Sequence, residues 1–399
     1  MLAFRLLSYQ WVATVIQALI SFGLSILVAR HLGVDQFGVY AIAMSAGFFI
    51  TILMDGGFTT LLQRESARAS LGDSLDGKNV SRYALGYTFL VVALLNLVAY
   101  INPFGQDTIT LFAIIFAFSP VVLIGQSMSV LRGQGRLLRD AVLQIVMRFF
   151  TAFFVVAFIL YGLDSPASIL FAQGVGGYTV YLILVFRSRI KPLFFIPWNA
   201  FKVALPLVAW AIAFAIYTKS DLLLCRLFDI PRSDVGEYAI ACRLVEALQV
   251  FAGPVGILIF RKFRIAELSK EVSVKKIMMV TYAALFMGAF ICIGGFILAP
   301  IAIPWIFGEE YRASILLFEV LTIGLIFFLG NTVLFQAYIA LELERLLMIL
   351  TALAGIFNVT LNVVVLPIYG VEASAWTSVL TQCSLILLLR FYLLKSVKY

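Results

Sequence analysis

The feature that most constrains this chain is a repeating length. Apolar blocks of about 20 residues follow one another from end to end, separated by short charged or glycine-containing stretches. At about 1.5 Å of rise per residue, each block is long enough as a helix to cross a bilayer core of roughly 30 Å. Every backbone polar group inside that core needs an internal partner, which leaves helices or a closed barrel. Barrel strands would read as alternating segments of about 10 residues, whereas these blocks are continuous. Hydrophobic residues make up 63% of the chain and charged residues 13%, against about 45–50% and about 25% in soluble domains. The sequence predicts an all-α polytopic membrane protein.

Twelve spans are expected, near 8–29, 37–62, 83–101, 108–131, 141–161, 168–186, 201–224, 236–259, 277–299, 312–340, 346–366 and 371–394. The first block exceeds the about 7–15 residues of a signal h-region and reads as a retained helix. The tenth is long for one crossing and is expected to include an interfacial turn or a tilt. With the N-terminus inside, 22 Lys and Arg fall in inside segments and 5 at outside ends. The positive-inside rule then places both termini in the cytoplasm. It also accounts for the net charge of +8 without nucleic acid. The longest loops, 65–82 and 261–276, fall short of the roughly 50 residues of a folded soluble domain, so the activity is expected within the bilayer.

The chain repeats itself. FGVYAIA at 37–43 returns as VGEYAIA at 235–241, with five of seven positions identical at an offset of 198 in 399 residues. Arg136-Leu137-Leu138 matches Arg345-Leu346-Leu347 at an offset of 209, and Tyr161-Gly162 matches Tyr369-Gly370 at 208. Six spans per half is an even number, so the halves, 1–190 and 191–399, share one orientation. They form two pseudo-symmetric six-helix bundles, as in transporters built from parallel repeats.

Charged side chains within spans cost about 2.5–3.5 kcal/mol or more, so each calls for a reason. Arg148 either snorkels and pairs with a neighbouring helix or lines a cavity. Arg243 and Glu246 are three apart on one face, as a self-neutralising pair or as part of a substrate site. Lys219 and Asp221 are two apart and point to different sides of their helix. Asp55 precedes Gly56 and Gly57, an acid beside loosened backbone, and is a candidate for ion coupling or for capping and packing. Glu319 is a weaker candidate of the same kind. Pro206 and Pro254 are hinge candidates or static kinks, and Pro120 also lies inside a span and can kink it. Cys225, Cys242, Cys292 and Cys383 lie in or at the edge of apolar blocks, as small buried hydrophobes and not as a disulfide or metal set. His31 lacks the Cys or carboxylate cluster of a metal site. No motif suggests a cofactor.

The run LVARHLGVDQFGVY at 27–40 resembles the span one–two junction of polysaccharide flippases, within the multidrug/oligosaccharidyl-lipid/polysaccharide exporter superfamily. So do DGGF at 55–58 leading to Arg64-Glu65, VGEY at 235–238 and FGEEY at 307–311. The resemblance covers nearly the whole chain. It implies a non-enzymatic flippase of the bacterial inner membrane. Its substrate would be an undecaprenyl-diphosphate-linked oligosaccharide, moved from the cytoplasmic to the periplasmic leaflet for O-antigen, lipopolysaccharide or a related polymer. Two lobes would rock around a hydrophilic cavity, with Arg30, Arg148, Lys219 and Arg243 meeting the anionic substrate. Asp55, Asp221, Glu246 and Glu319 nearly balance those bases and stand as ion-coupling candidates, for a proton or sodium. Implied partners are membrane lipids and the polysaccharide polymerase and chain-length machinery. The runner-up is a drug/cation antiporter of the same fold. A membrane polymerase or glycosyltransferase would need a large outer loop or an acidic catalytic motif, which this sequence does not show.

Overall fold

The structure is a computed structural model, and it describes residues 2–70, 77–101, 107–188, 191–194, 198–250, 252, 256, 259, 263 and 274–396. The described residues form helices and one short 3-10 turn. They run α1 (Leu2–Asp55), α2 (Phe58–Ser70), α3 (Gly77–Ile101), α4 (Thr108–Gly133), α5 (Leu137–Leu160) and α6 (Pro166–Ser188). Then come α7 (Trp198–Leu227), α8 (Arg232–Gln249), α9 (Val274–Phe307), the 3-10 turn Glu309–Tyr311, α10 (Ser314–Ala340) and α11 (Glu344–Ser396). The helix α1 breaks at Gly33 (φ 72°, ψ 169°) and α11 at Gly370 (φ 67°, ψ −159°). Those dihedrals belong to glycine alone, so each long helix is two arms joined at one residue.

Nine segments among the described residues are long and apolar enough to cross a membrane. Two of them, Gln10–Asp55 and Glu344–Lys395, contain the breaks at Gly33 and Gly370. This is a multi-pass helical membrane protein. Span nine is longer than the sequence pattern suggested, because α9 carries on through Pro300 and Pro304 to Phe307. The tenth span is a single 27-residue α10, and the 3-10 turn Glu309–Tyr311 lies ahead of it, outside 312–340.

The chain packs into two compact units: Met1–Leu32 with Ile42–Ala215, and Gly33–Ala41 with Ile216–Tyr399. In the first unit, Met54, Ala99, Ile115 and Val122 form one apolar cluster, and Ile124, Met128, Leu143 and Val180 another. The stretch after α6 is tied to α3. Leu193 N–H donates to the Arg82 carbonyl at 2.9 Å, and Arg82 Nε donates to the Lys191 carbonyl at 3.2 Å. Asp107 caps α4, accepting from Ile109 N–H at 3.1 Å and from the Thr110 hydroxyl at 2.6 Å. Asp107→Ala is expected to lower stability by about 1 kcal/mol, read as a lower denaturation midpoint in detergent. An unchanged midpoint would count against the cap.

In the second unit the sequence repeat becomes a packing device. A Cβ on Gly38 would lie 2.2 Å from the Arg232 carbonyl oxygen, and one on Gly236 would lie 2.1 Å from the Val34 carbonyl oxygen. Val34 and Gly38 stand at the same offset, 198, from Arg232 and Gly236. The two copies of the motif therefore cross each other in a reciprocal contact, each glycine admitting the other copy's backbone. Phe37 and Tyr311 close beside it, edge to face at 6.2 Å. Helix packing among lipid tails depends on such close approach, because lipid is as apolar as the side chains it would replace. Elsewhere in this unit Leu334, Tyr338, Leu385, Leu389 and Leu393 build the core, with the Tyr338 hydroxyl donating to the Leu389 carbonyl at 2.7 Å.

Candidate functional site

The second unit gathers four of the charged residues singled out above. Lys219 and Asp221 stand on the last third of α7; Arg243 and Glu246 stand on α8. Arg243 reaches Glu246 Oε2 at 3.2 Å, as the three-residue spacing required. Lys219 Nζ pairs with the other oxygen, Oε1. One carboxylate thus holds two cations, so the triad carries one net positive charge. The three side chains remain between 26% and 36% exposed, which leaves that charge reachable by an anion.

Asp221 turns to a different partner on α8. Its Oδ2 accepts from the Tyr238 hydroxyl at 2.6 Å, and its Oδ1 accepts from Leu222 N–H at 2.9 Å. Tyr238 is fully buried, and Ser374 of α11 lies near its hydroxyl. The Ser374 hydroxyl donates to Asn362 Oδ1 at 2.8 Å, and Asn362 Nδ2 donates to Asn358 Oδ1 at 3.2 Å. Asn358 Nδ2 donates to Thr381 Oγ1 at 3.1 Å. A buried polar ladder therefore lines up from one carboxylate on α7 past Tyr238 on α8 to both arms of α11. Buried polar groups survive only when paired, and here the pairs join α7 to α8 and the two arms of α11 to each other.

The first unit holds the remaining candidates. Asp55 ends α1 where Gly56 and Gly57 take positive φ, and it accepts from the Thr59 N–H at 3.1 Å and from the Thr59 hydroxyl. That is the geometry of a cap on α2. Arg30 is exposed near the end of the first arm of α1. Close by, His31 Nε2 lies 2.7 Å from Asp164 Oδ1. Arg148 is exposed on α5. That helix starts at Leu137, so Arg148 sits 11 residues in, roughly 16 Å along the axis, deeper than a start at residue 141 implied. Glu319 is half-buried on α10. Pro206 lies within α7, which continues through it, and Pro254 lies outside the described residues. The cysteines are free.

Sequence reasoning missed one cluster. Asp140 is fully buried, and its Oδ2 accepts from Arg132 Nε at 3.0 Å, Gln144 Nε2 at 2.8 Å and Gln10 Nε2 at 2.9 Å. Gln17 Nε2 donates in turn to Gln144 Oε1 at 2.7 Å. Asp140 escaped because the fifth span was expected to begin one residue after it. The glutamines escaped because only charges were weighed. The helical spacing of Gln10 and Gln17 on α1 was the signal that could have found them.

A model of the polysaccharide biosynthesis protein family matches residues 6–260. No curated protein sequence matches the chain. Among solved structures, a lipid II flippase MurJ in an inward closed conformation aligns with a TM-score of 0.79 at 16% identity, covering 96% of this chain and 87% of that one. An inward-facing multidrug resistance MATE family transporter of the MOP superfamily aligns at 0.76 and 12% identity, covering 96% of each. A MOP superfamily transporter from Pyrococcus furiosus aligns at 0.68 and 10%, covering 97% of this chain and 94% of that one. These likenesses give the fold; the match over residues 6–260 gives the family. The chain belongs to the polysaccharide biosynthesis protein family and has the fold of MOP superfamily transporters.

Proposed function

We propose that the protein is a flippase of the bacterial inner membrane. It moves undecaprenyl-diphosphate-linked oligosaccharide units from the cytoplasmic to the periplasmic leaflet by alternating access, for O-antigen or a related surface polysaccharide. Both termini are cytoplasmic, and the lobes 1–190 and 191–399 are the moving parts. The observation that carries the reading is the Lys219–Glu246–Arg243 triad in a chain of this family. Its single net positive charge suits a diphosphate, which guanidinium and ammonium groups hold through charge-assisted hydrogen bonds. Asp221, at the head of the buried ladder, is the coupling residue, taking up a proton or another cation during the cycle.

Charge arithmetic gives the test. Lys219→Ala leaves a neutral Arg243–Glu246 pair, whereas Glu246→Gln leaves two cations unopposed. In a strain lacking its polysaccharide flippase, wild type is expected to restore the surface polymer. Lys219→Ala is expected to lose about 10-fold or more, the worth of a charge-assisted contact, and Glu246→Gln is expected to retain the polymer. A cation antiporter would show the reverse order in an efflux assay, since removing Lys219 frees one Glu246 oxygen for a cation. Wild type restoring no polymer across several glycan backgrounds would overturn the flippase reading.

A further inference from the structure

Along the first arm of α1, Gln10, Thr14, Gln17, Ser21 and Ser25 recur at intervals of four, three, four and four. That spacing puts all five on one helix face, over 15 residues or about 22 Å. The exposed apolar residues Val12, Val15 and Leu19 lie on the opposite face. On α5, Asp140, Gln144 and Arg148 follow the same rule, away from exposed Val142, Phe149 and Phe153. The two polar faces meet, with Gln10 on Asp140 and Gln17 on Gln144.

Asp140 sets the direction of these bonds. Gln144 points its NH2 at Asp140 Oδ2, an acceptor, which turns its carbonyl to the Gln17 NH2. The chain of donors runs Gln17 to Gln144 to Asp140, and the Gln17 carbonyl is left as an acceptor at its head. The Thr14 and Ser25 hydroxyls donate back to the Gln10 and Ser21 carbonyls at 2.9 Å each, which keeps their lone pairs for a further donor. Helix–helix adhesion is served by the two rungs at Gln10 and Gln17. It does not call for Thr14, which is exposed, or for Ser21 and Ser25 beyond the second rung. One acceptor atom, Asp140 Oδ1, is buried with no hydrogen-bond partner among the described residues.

We infer that this seam binds the uncharged sugar rings of the lipid-linked substrate, an inference that rests on the flippase reading. Sugar hydroxyls donate and accept, as do amides and hydroxyls. A neutral strip serves them without the insertion cost of charges, and Arg148 continues the α5 face toward an anionic group. Gln17 and Gln144 are the specificity-determining residues, and Asp140, braced by Arg132, is a positioning residue.

The test places a benzoylphenylalanine photocrosslinker at Thr14, Ser21 or, as the lipid-face control, Leu19 of the full chain in nanodiscs. The discs carry either undecaprenyl diphosphate or the same carrier bearing a trisaccharide of neutral hexoses. Adducts at Thr14 and Ser21 with the glycosylated carrier alone are expected. Gln144→Leu is expected to lower them about 3- to 10-fold, the loss of one or two neutral hydrogen bonds. Equal adducts with the bare carrier, or equal adducts at Leu19, overturn the inference. So does binding of the glycosylated carrier by the chain without adducts at Thr14 or Ser21, and in that case the flippase reading stands. A chain that binds neither carrier overturns both.

Discussion

Gly236→Leu is expected to destabilise the protein by at least about 1–3 kcal/mol, the usual cost of overpacking, and to abolish transport. The groups it would strike are backbone. A Cβ there lies 2.1 Å from the Val34 carbonyl oxygen, and no side-chain rotation relieves that. The motif carrying Val34 must back away as a unit. Gly38→Leu is expected to do the same from the other side, against the Arg232 carbonyl oxygen at 2.2 Å. The sharper form of the prediction is a cycle with alanine. Because one crossing holds both glycines, the displacement caused by Gly38→Ala makes room for Gly236→Ala. The double variant should therefore fall short of the sum of the singles by about 0.5–3 kcal/mol, the range for residues in direct contact. Denaturation midpoints in detergent supply the four corners. Additive losses would mean that the two glycines do not share a crossing.

The crossing shows where sequence reasoning stops. The repeat at 37–43 and 235–241 was plain as a repeat, and its offset of 198 underlies the expectation of two halves. That the copies would lie against each other was not readable, because identity in sequence says nothing of adjacency in space. The membrane helices were legible from block length alone, since no other element satisfies a backbone in hydrocarbon over such lengths. The Arg243–Glu246 pair followed from a three-residue spacing. Its second cation did not, because Lys219 comes from another helix, 27 residues earlier. Asp55 was legible as an acid at a loosened turn, and the structure adds Thr59 as its partner. Neutral polar residues were the blind spot. Asn358, Asn362 and Ser374 on α11 carry the buried ladder, and Gln10, Gln17 and Gln144 carry the seam. None of them disturbs an apolar block as strongly as a charge does.

The triad and the ladder differ in the kind of charge they can hold. The triad carries a surplus of one positive charge, because one carboxylate is shared by two cations. It can hold an anion. Among the described residues no cation bonds to the Asp221 carboxylate, whose partners are a phenol and a backbone N–H. Its charge is the one that can change without breaking an ion pair.

Asp221→Asn is the substitution that isolates that property. Counting hydrogens along the ladder shows why. With Asp221 ionised, Tyr238 donates to it, and the single Ser374 proton serves either Tyr238 or Asn362 but not both. With Asp221 protonated, Asp221 donates to Tyr238, Tyr238 to Ser374, and Ser374 to Asn362, so each link has its proton. Asparagine can copy the second arrangement: its NH2 donates to Tyr238 while its carbonyl oxygen still accepts from Leu222 N–H. It cannot copy the first. Asp221→Asn is therefore expected to fold with wild-type stability and to lose transport by about 5- to 150-fold, the usual span of a coupling free energy of 1–3 kcal/mol. Tyr238→Phe removes the hydroxyl that donates to Asp221, and it is expected to lose stability as well by leaving a buried acceptor unpaired. Surface-polymer restoration in the flippase-deficient strain and denaturation midpoints of the purified variants provide the two readouts. Full transport by Asp221→Asn would show that the carboxylate serves as a hydrogen-bond acceptor alone, and coupling would then have to be sought at Asp55 or Glu319.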